Sequence, residues 1–105
     1  MARPEYPAEA LAADGVFRPN VTVAAVVERD GRFLLVEERA GDGRLVINQP
    51  AGHLEADESL LAAVVRETFE ETGWRIEPTG LVAVYRWRHP VTGIVILRFT
   101  FAARA

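Results

Sequence analysis

The chain predicts an α/β fold, a mixed sheet with helices packed on it. Three observations predict it. Residues 20–28 alternate Val21, Val23, Ala25 and Val27, the period of two that marks a half-buried strand. Leu60, Leu61, Val64, Val65, Thr68 and Phe69 recur at helical spacing. Two more strand-like runs, 81–88 and 94–103, follow that helix. An order of hairpin, strand, helix, strands needs a sheet that mixes directions.

Each element has a local reason. Residues 1–16 are rich in Ala and Pro without a clear period and read as a tail, with one short helical turn over 8–13. The domain then runs from 17 to 105. Arg29-Asp30-Gly31-Arg32 carries the Asp-Gly hairpin signal, so 33–38 is the return strand. Residues 40–43 form a loop with two glycines, and 44–48 are a short apolar strand. Pro50-Ala51-Gly52 ends that strand and begins a loop. Asp57 or Ser59 caps the helix start. Gly73 stands where a left-handed C-cap glycine belongs. His89-Pro90-Val91-Thr92-Gly93 is a turn between the last two strands.

Composition narrows the function. At 105 residues one domain is expected, and half the residues are hydrophobic, which supports a core. Without cysteine there is no disulfide framework, thiolate metal site or cysteine nucleophile. The first 20 residues hold no long apolar run and no stretch reaches 18 apolar residues, so a cytoplasmic protein with no membrane partner is expected. Every base is arginine. Residues 1–77 hold all 15 acids and 8 arginines, whereas 78–105 hold Arg86, Arg88, Arg98, Arg104 and His89 and no acid. The front offers carboxylates; the back offers forks that suit phosphate oxygens, or ordinary solvated charge. A net charge of −3 does not suit a nucleic-acid polymer.

The carboxylates are the informative feature. Glu67, Glu70 and Glu71 stand at i, i+3 and i+4, so a helix puts them on one side. Like charges at such spacing destabilise a helix by roughly 0.2–0.5 kcal/mol per pair. A helix that tolerates this suits a bound hard cation such as Mg²⁺, which takes carboxylate oxygen and keeps positions for water and phosphate. A solvated acidic surface is the plainer alternative.

The order Gly52, five residues, Glu58, seven residues, Arg66-Glu67, two residues, Glu70-Glu71, one residue, Gly73 resembles the Nudix box, with Thr68 where that family usually carries an aliphatic residue. Phe17-Arg18-Pro19-Asn20-Val21-Thr22-Val23-Ala24, the run from Asn48 to Glu58, and Leu97-Arg98-Phe99 resemble the NudJ-type phosphatase branch of the Nudix hydrolases. Ile47 departs from that branch, which often has Trp there.

The resemblance implies a Nudix-type α/β/α sandwich, here lacking the C-terminal helix that covers the sheet in the family. It implies hydrolysis of phosphoanhydride bonds in nucleoside di- and triphosphates or related small pyrophosphates. ADP-ribose or nucleotide-sugar hydrolysis and a catalytically weak nucleotide-binding module are the alternatives. It assigns Mg²⁺, with Mn²⁺ as a substitute, to Glu67, Glu70, Glu71 and the Gly52 carbonyl. Glu58, Arg66 and Glu70 are the catalytic group, with Arg66 pairing Glu58 and Glu58 assisting proton transfer. Gln49, His53, Arg86 and Arg98 are the candidate substrate contacts. For His53 a plain loop role is the alternative, and for the two arginines a rim salt bridge. Tyr85 and Trp87 stack on a base or pack into the fold. Many Nudix enzymes draw a base from a later loop, yet no Asp or Glu follows Glu77. A sheet without its second helix exposes an apolar face, so a homodimer is expected.

Overall fold

The computed structural model describes residues 14–105. The tail's short turn at 8–13 lies outside them. Seven strands and one helix follow in the order β1 (Asn20–Arg29), β2 (Arg32–Phe33), β3 (Val36–Arg39), β4 (Leu45–Asn48), β5 (Ala51–His53), α1 (Leu60–Thr72), β6 (Glu77–Arg88) and β7 (Val95–Arg104). The mixed α/β architecture is the expected one. Of the sandwich's three layers, the described residues supply the sheet and one helix.

β1 is the centre of the sheet. It runs parallel to β7 from Asn20↔Ile96 to Val27↔Ala103, and β7 pairs antiparallel with β6 on its far side. The other edge of β1 is shared. β2 takes its end at Glu28↔Phe33, and β5 takes Thr22–Ala24. β3 and β4 form a separate two-stranded ribbon.

This sharing corrects two expectations. The return strand 33–38 is not continuous. The Asp-Gly turn closes as expected, with Asp30 at φ 53° and Gly31 at φ 76°, the double positive φ of a two-residue hairpin. Leu34 N–H still reaches the Val27 carbonyl at 2.9 Å. Beyond it the edge of β1 is filled, because Pro50 O accepts from Ala25 N at 3.0 Å and β5 follows. The chain therefore leaves and pairs with β4. Residues 51–53, expected as loop, are that competing strand. β6 also begins earlier than expected. Pro78 is accommodated because β6 is an edge strand with register shifts between Pro78 and Gly80 and between Leu81 and Ala83.

The helix ends match the sequence reading. Ser59 Oγ accepts from Ala62 N at 3.1 Å, and Gly73, at φ 75°, donates its N–H to Phe69 O at 2.8 Å. Its buried stripe is narrower than expected. Ala63 and Val64 pack on Val23, Ala25, Val27 and Phe101 and Thr68 is also buried, while Leu61 and Phe69 remain exposed. The helix lies mainly over β1 and β5 and touches β6 less. Leu81 and Val84 of β6 consequently stay half exposed.

Candidate active site

Arg66 organises the polar end of the molecule. Its position on α1 sets it one residue before Glu67 and one turn before Glu70. Its Nε donates to Glu58 Oε2 at 2.9 Å and its Nη2 to Glu58 Oε1 at 2.6 Å, a bidentate pair. Nη2 also donates to the His53 carbonyl at 3.1 Å. Nη1 donates to Glu67 Oε1 at 2.8 Å and Glu70 Oε2 at 3.3 Å, with Glu55 Oε1 at 3.5 Å. Glu55 N–H closes the loop onto Glu58 Oε1 at 2.9 Å. One guanidinium thus ties the helix, β5 and the connecting loop together.

The pair is largely shielded: the Arg66 side chain is 23% exposed and Glu58 14%. The hydrogen bonds from Arg66 hold the Glu58 carboxyl down from its ordinary 4.5 to about 2, against the opposing effect of burial. Glu58, then Glu67, hold Arg66 protonated beyond its ordinary range.

Gly52 faces α1 from β5. A Cβ there would fall on the Glu67 carboxyl group, so glycine lets that carboxylate lie against the β5 backbone where it does. The ladder bonds Ala25–Pro50 and Leu54–Val21 flank the Val23↔Gly52 pair. Alternation therefore makes it a hydrogen-bonded pair, and the Gly52 carbonyl retains a second lone pair. Glu71 lies one turn beyond Glu67 and accepts from Ala51 N at 2.8 Å. Burial raises the Glu71 carboxyl, and the charges of Glu67, Glu38 and Glu70 raise it further, while the Ala51 bond acts against them.

Gly52, Glu58, Arg66, Glu67 and Glu70 are therefore brought together, with Glu71 anchored beside them. Among the described residues no three acidic or His side chains converge tightly enough to grip a cation as they stand. Arg66 serves as the counter-charge to Glu67 and Glu70. The donor chemistry nevertheless fits a hard cation: carboxylate oxygens, a peptide oxygen with a spare lone pair, and local negative charge that Arg66 only partly offsets.

The candidate substrate contacts divide. Arg86 sits opposite Leu97, on the face shared with Phe99 and the helix. Arg98 sits opposite Thr22 and Tyr85, on the other face. There Gln49, Tyr85, Trp87, Ile96, Arg98 and Thr100 line a cleft of about 500 Å³. His53 pairs with Thr22 and so points to that second face, while its carbonyl serves Arg66.

Three participants were not anticipated. Glu55 and Glu38 join the acidic cluster. Only the position of Glu55, three residues before Glu58, hinted at its role. Nothing local placed Glu38, whose approach depends on the β3–β4 ribbon. Thr100 is 3% exposed and its hydroxyl has no partner. Thr68, in the family's aliphatic position, is likewise buried with an unpartnered hydroxyl. Leaving such a group unpaired costs about 1–3 kcal/mol.

The chain matches the NUDIX domain over residues 16–104 and belongs to the Nudix hydrolase family. Within that family it is 48% identical over 87 residues to Phosphatase NudJ of Escherichia coli strain K12, covering 83% of this chain and 56% of that protein. Phosphatase NudJ of Shigella flexneri matches to the same extent. A Nudix hydrolase structure from Nitrosomonas europaea superposes with TM-score 0.78 at 48% identity, over 83% of this chain and 59% of that one. A MutT Nudix hydrolase from Burkholderia pseudomallei gives TM-score 0.70 at 31% identity, over 84% and 68%. An ADP-ribose pyrophosphatase from Streptococcus suis gives 0.66 at 25%, over 83% and 60%. The chain spans a little over half the length of the curated relatives it matches.

Proposed function

We propose that this domain hydrolyses phosphoanhydride bonds of nucleoside di- or triphosphates, or related small pyrophosphates, with a divalent cation. The observation that carries this reading is the Arg66 hub, which holds Glu58, Glu67 and the β5 backbone in one frame. Nudix hydrolases use divalent cations generally, and Mg²⁺ is the ion proposed here. Glu67, Glu70, Glu71 and the Gly52 carbonyl would hold it. Once bound, it would neutralise phosphate charge and make a coordinated water more acidic.

The chain's own residues set the rest. Arg66 fixes the helix against β5, so that Gly52 and Glu67 keep their spacing. Glu58, held down to about 2, is a fixed acceptor that positions Arg66; a carboxylate that weakly basic is a poor proton acceptor near neutral pH. The Ala51 N–H orients Glu71 at the same edge. Arg66 engages only Oε1 of Glu67 and Oε2 of Glu70, so each carboxylate keeps a second oxygen that a cation would take.

Glu71→Gln removes a carboxylate charge without changing shape. It should lower Mg²⁺-dependent phosphate release from a nucleotide panel by about 1,000-fold. Equal rates in variant and wild type would end the metal assignment. Release of free phosphate supports this reading. Nucleoside monophosphate plus sugar phosphate would support the pyrophosphatase alternative, which is favoured by the likeness to the Streptococcus suis enzyme.

The proposed setting is the cytoplasm; among the described residues no helix is long and apolar enough to cross a membrane. A homodimer that covers the half-exposed Leu81, Val82 and Val84 of β6 belongs to the same proposal. Light scattering at micromolar concentration should give twice the chain mass, and a monomer would count against it.

A further inference from the structure

The cleft on the face away from α1 has a chemistry of its own. Its volume, about 500 Å³, is that of a small-molecule pocket. Two aromatic rings, Tyr85 and Trp87, stand on one side, both about half exposed. The Trp87 ring is propped edge-on by His89, with centroids 5.4 Å apart and planes at 76°. His89 is itself fixed, because its Nδ1 accepts from Val91 N and Thr92 N, each at 3.1 Å. The indole is therefore held in place, with surface left for a planar ring to stack on.

The polar groups of the cleft are selective. Its lining holds one cation, Arg98, and no acid. A cationic ring is disfavoured there. Arg98 offers donors only, so its partner in the plane of a ring must be an acceptor. Its Nε leans on Thr22 Oγ1 at 3.5 Å, and among the described residues it pairs with no carboxylate. Thr100 lies in the cleft wall, with a buried hydroxyl that has no protein partner.

We propose that this cleft takes the ring of the substrate, a neutral heteroaromatic base carrying a ring carbonyl, and that Arg98, which can only donate, selects for that carbonyl over an amino group. The inference rests on the nucleotide reading above. Chain geometry connects the two ends. Gln49, at the cleft, is three residues from Gly52, which contacts Glu67. That separation is at most about 10 Å, within reach of a sugar bearing phosphates. Oxo bases such as guanine and uracil present an acceptor where adenine presents a donor. The selection is thus built from a β7 side chain, on the opposite face of the sheet from the carboxylates.

The test uses intrinsic fluorescence in the full chain. A Trp74→Phe background leaves Trp87 as the only indole, since Trp74 lies elsewhere, against Arg29. Guanosine, uridine and adenosine monophosphates are titrated in EDTA, where no metal-dependent turnover occurs. Guanosine and uridine monophosphate should quench Trp87 at about fivefold lower concentration than adenosine monophosphate, the worth of one net hydrogen bond. Arg98→Met, at an exposed position, should shrink that preference while retaining the wild-type melting transition. Equal quenching by all three nucleotides, no quenching, or a preference that survives Arg98→Met would overturn the inference. Selective quenching without hydrolysis of any nucleotide would remove the enzymatic reading and leave this one standing. Metal-dependent hydrolysis without selective quenching would do the reverse.

Discussion

The two faces of the β1–β7 sheet differ in how they were built. On the α1 side, polar groups are crowded and paired: one arginine serves four carboxylates and a peptide oxygen within 3.5 Å. On the other side, a single arginine, two aromatic rings and a partnerless hydroxyl border an open cleft. The first region pairs its charges within the chain, whereas the second leaves Arg98 without a carboxylate among the described residues. Charge density suits handling phosphate, and an open aromatic wall suits recognition of a ring. Separating them lets one vary without disturbing the other.

That separation can be broken deliberately. The largest effect expected on stability is at Arg66. Arg66→Ala leaves Glu58 and Glu67 without their counter-charge, and should lower the melting temperature by several degrees at neutral pH. Arg66→Lys should recover less than half of that, since a lysine cannot form the bidentate pair with Glu58. Both variants, if folded, should keep the nucleotide quenching of Trp87. Loss of quenching in the folded lysine variant would show that the two faces are coupled.

Gly52→Ala acts more locally. The new Cβ displaces the Glu67 carboxyl group, and the backbone there needs no positive φ, so the main cost falls on function. Phosphate release should drop about 100-fold while the melting temperature changes by only a few degrees. A comparable rate would mean that Glu67 works from another position.

The smallest effect is expected in acid. Glu58 is held to about 2 in the folded chain against 4.5 ordinarily, so its contribution to stability is complete above about pH 4.5 and is lost as pH falls toward 2. Glu71 has the opposite sign: raised by burial, it favours the folded state at low pH and loses that contribution as pH rises through its folded value. Glu58→Gln should therefore flatten the acid limb of the stability profile between about pH 4.5 and 2. An unchanged limb would show that the Arg66 pair does not control it.

The contrast between the faces also marks what could be read in advance. The α1 face is written in local spacing: Ser59 caps the start, Gly73 stops the helix, and Arg66, Glu67, Glu70 and Glu71 follow helical periodicity between them. β5 was hidden because its partner is β1, almost 30 residues earlier, and Ala51-Gly52-His53 carries no strand signal. The break in the return strand was hidden for the same reason, since it depends on β5 having taken the edge of β1. Glu38 reaches the acidic cluster only through the β3–β4 pairing.

By itself, the sequence determined the helix, its caps, the Asp-Gly turn and the carboxylate pattern, because each depends on residues within a turn or two of one another. Tertiary structure decided which strand owns the edge of β1, which arginine faces which side, and that Gln49, Trp87, Arg98 and Thr100 share one cleft. Those outcomes depend on register between distant strands, and shifting a strand by one residue exchanges its two faces.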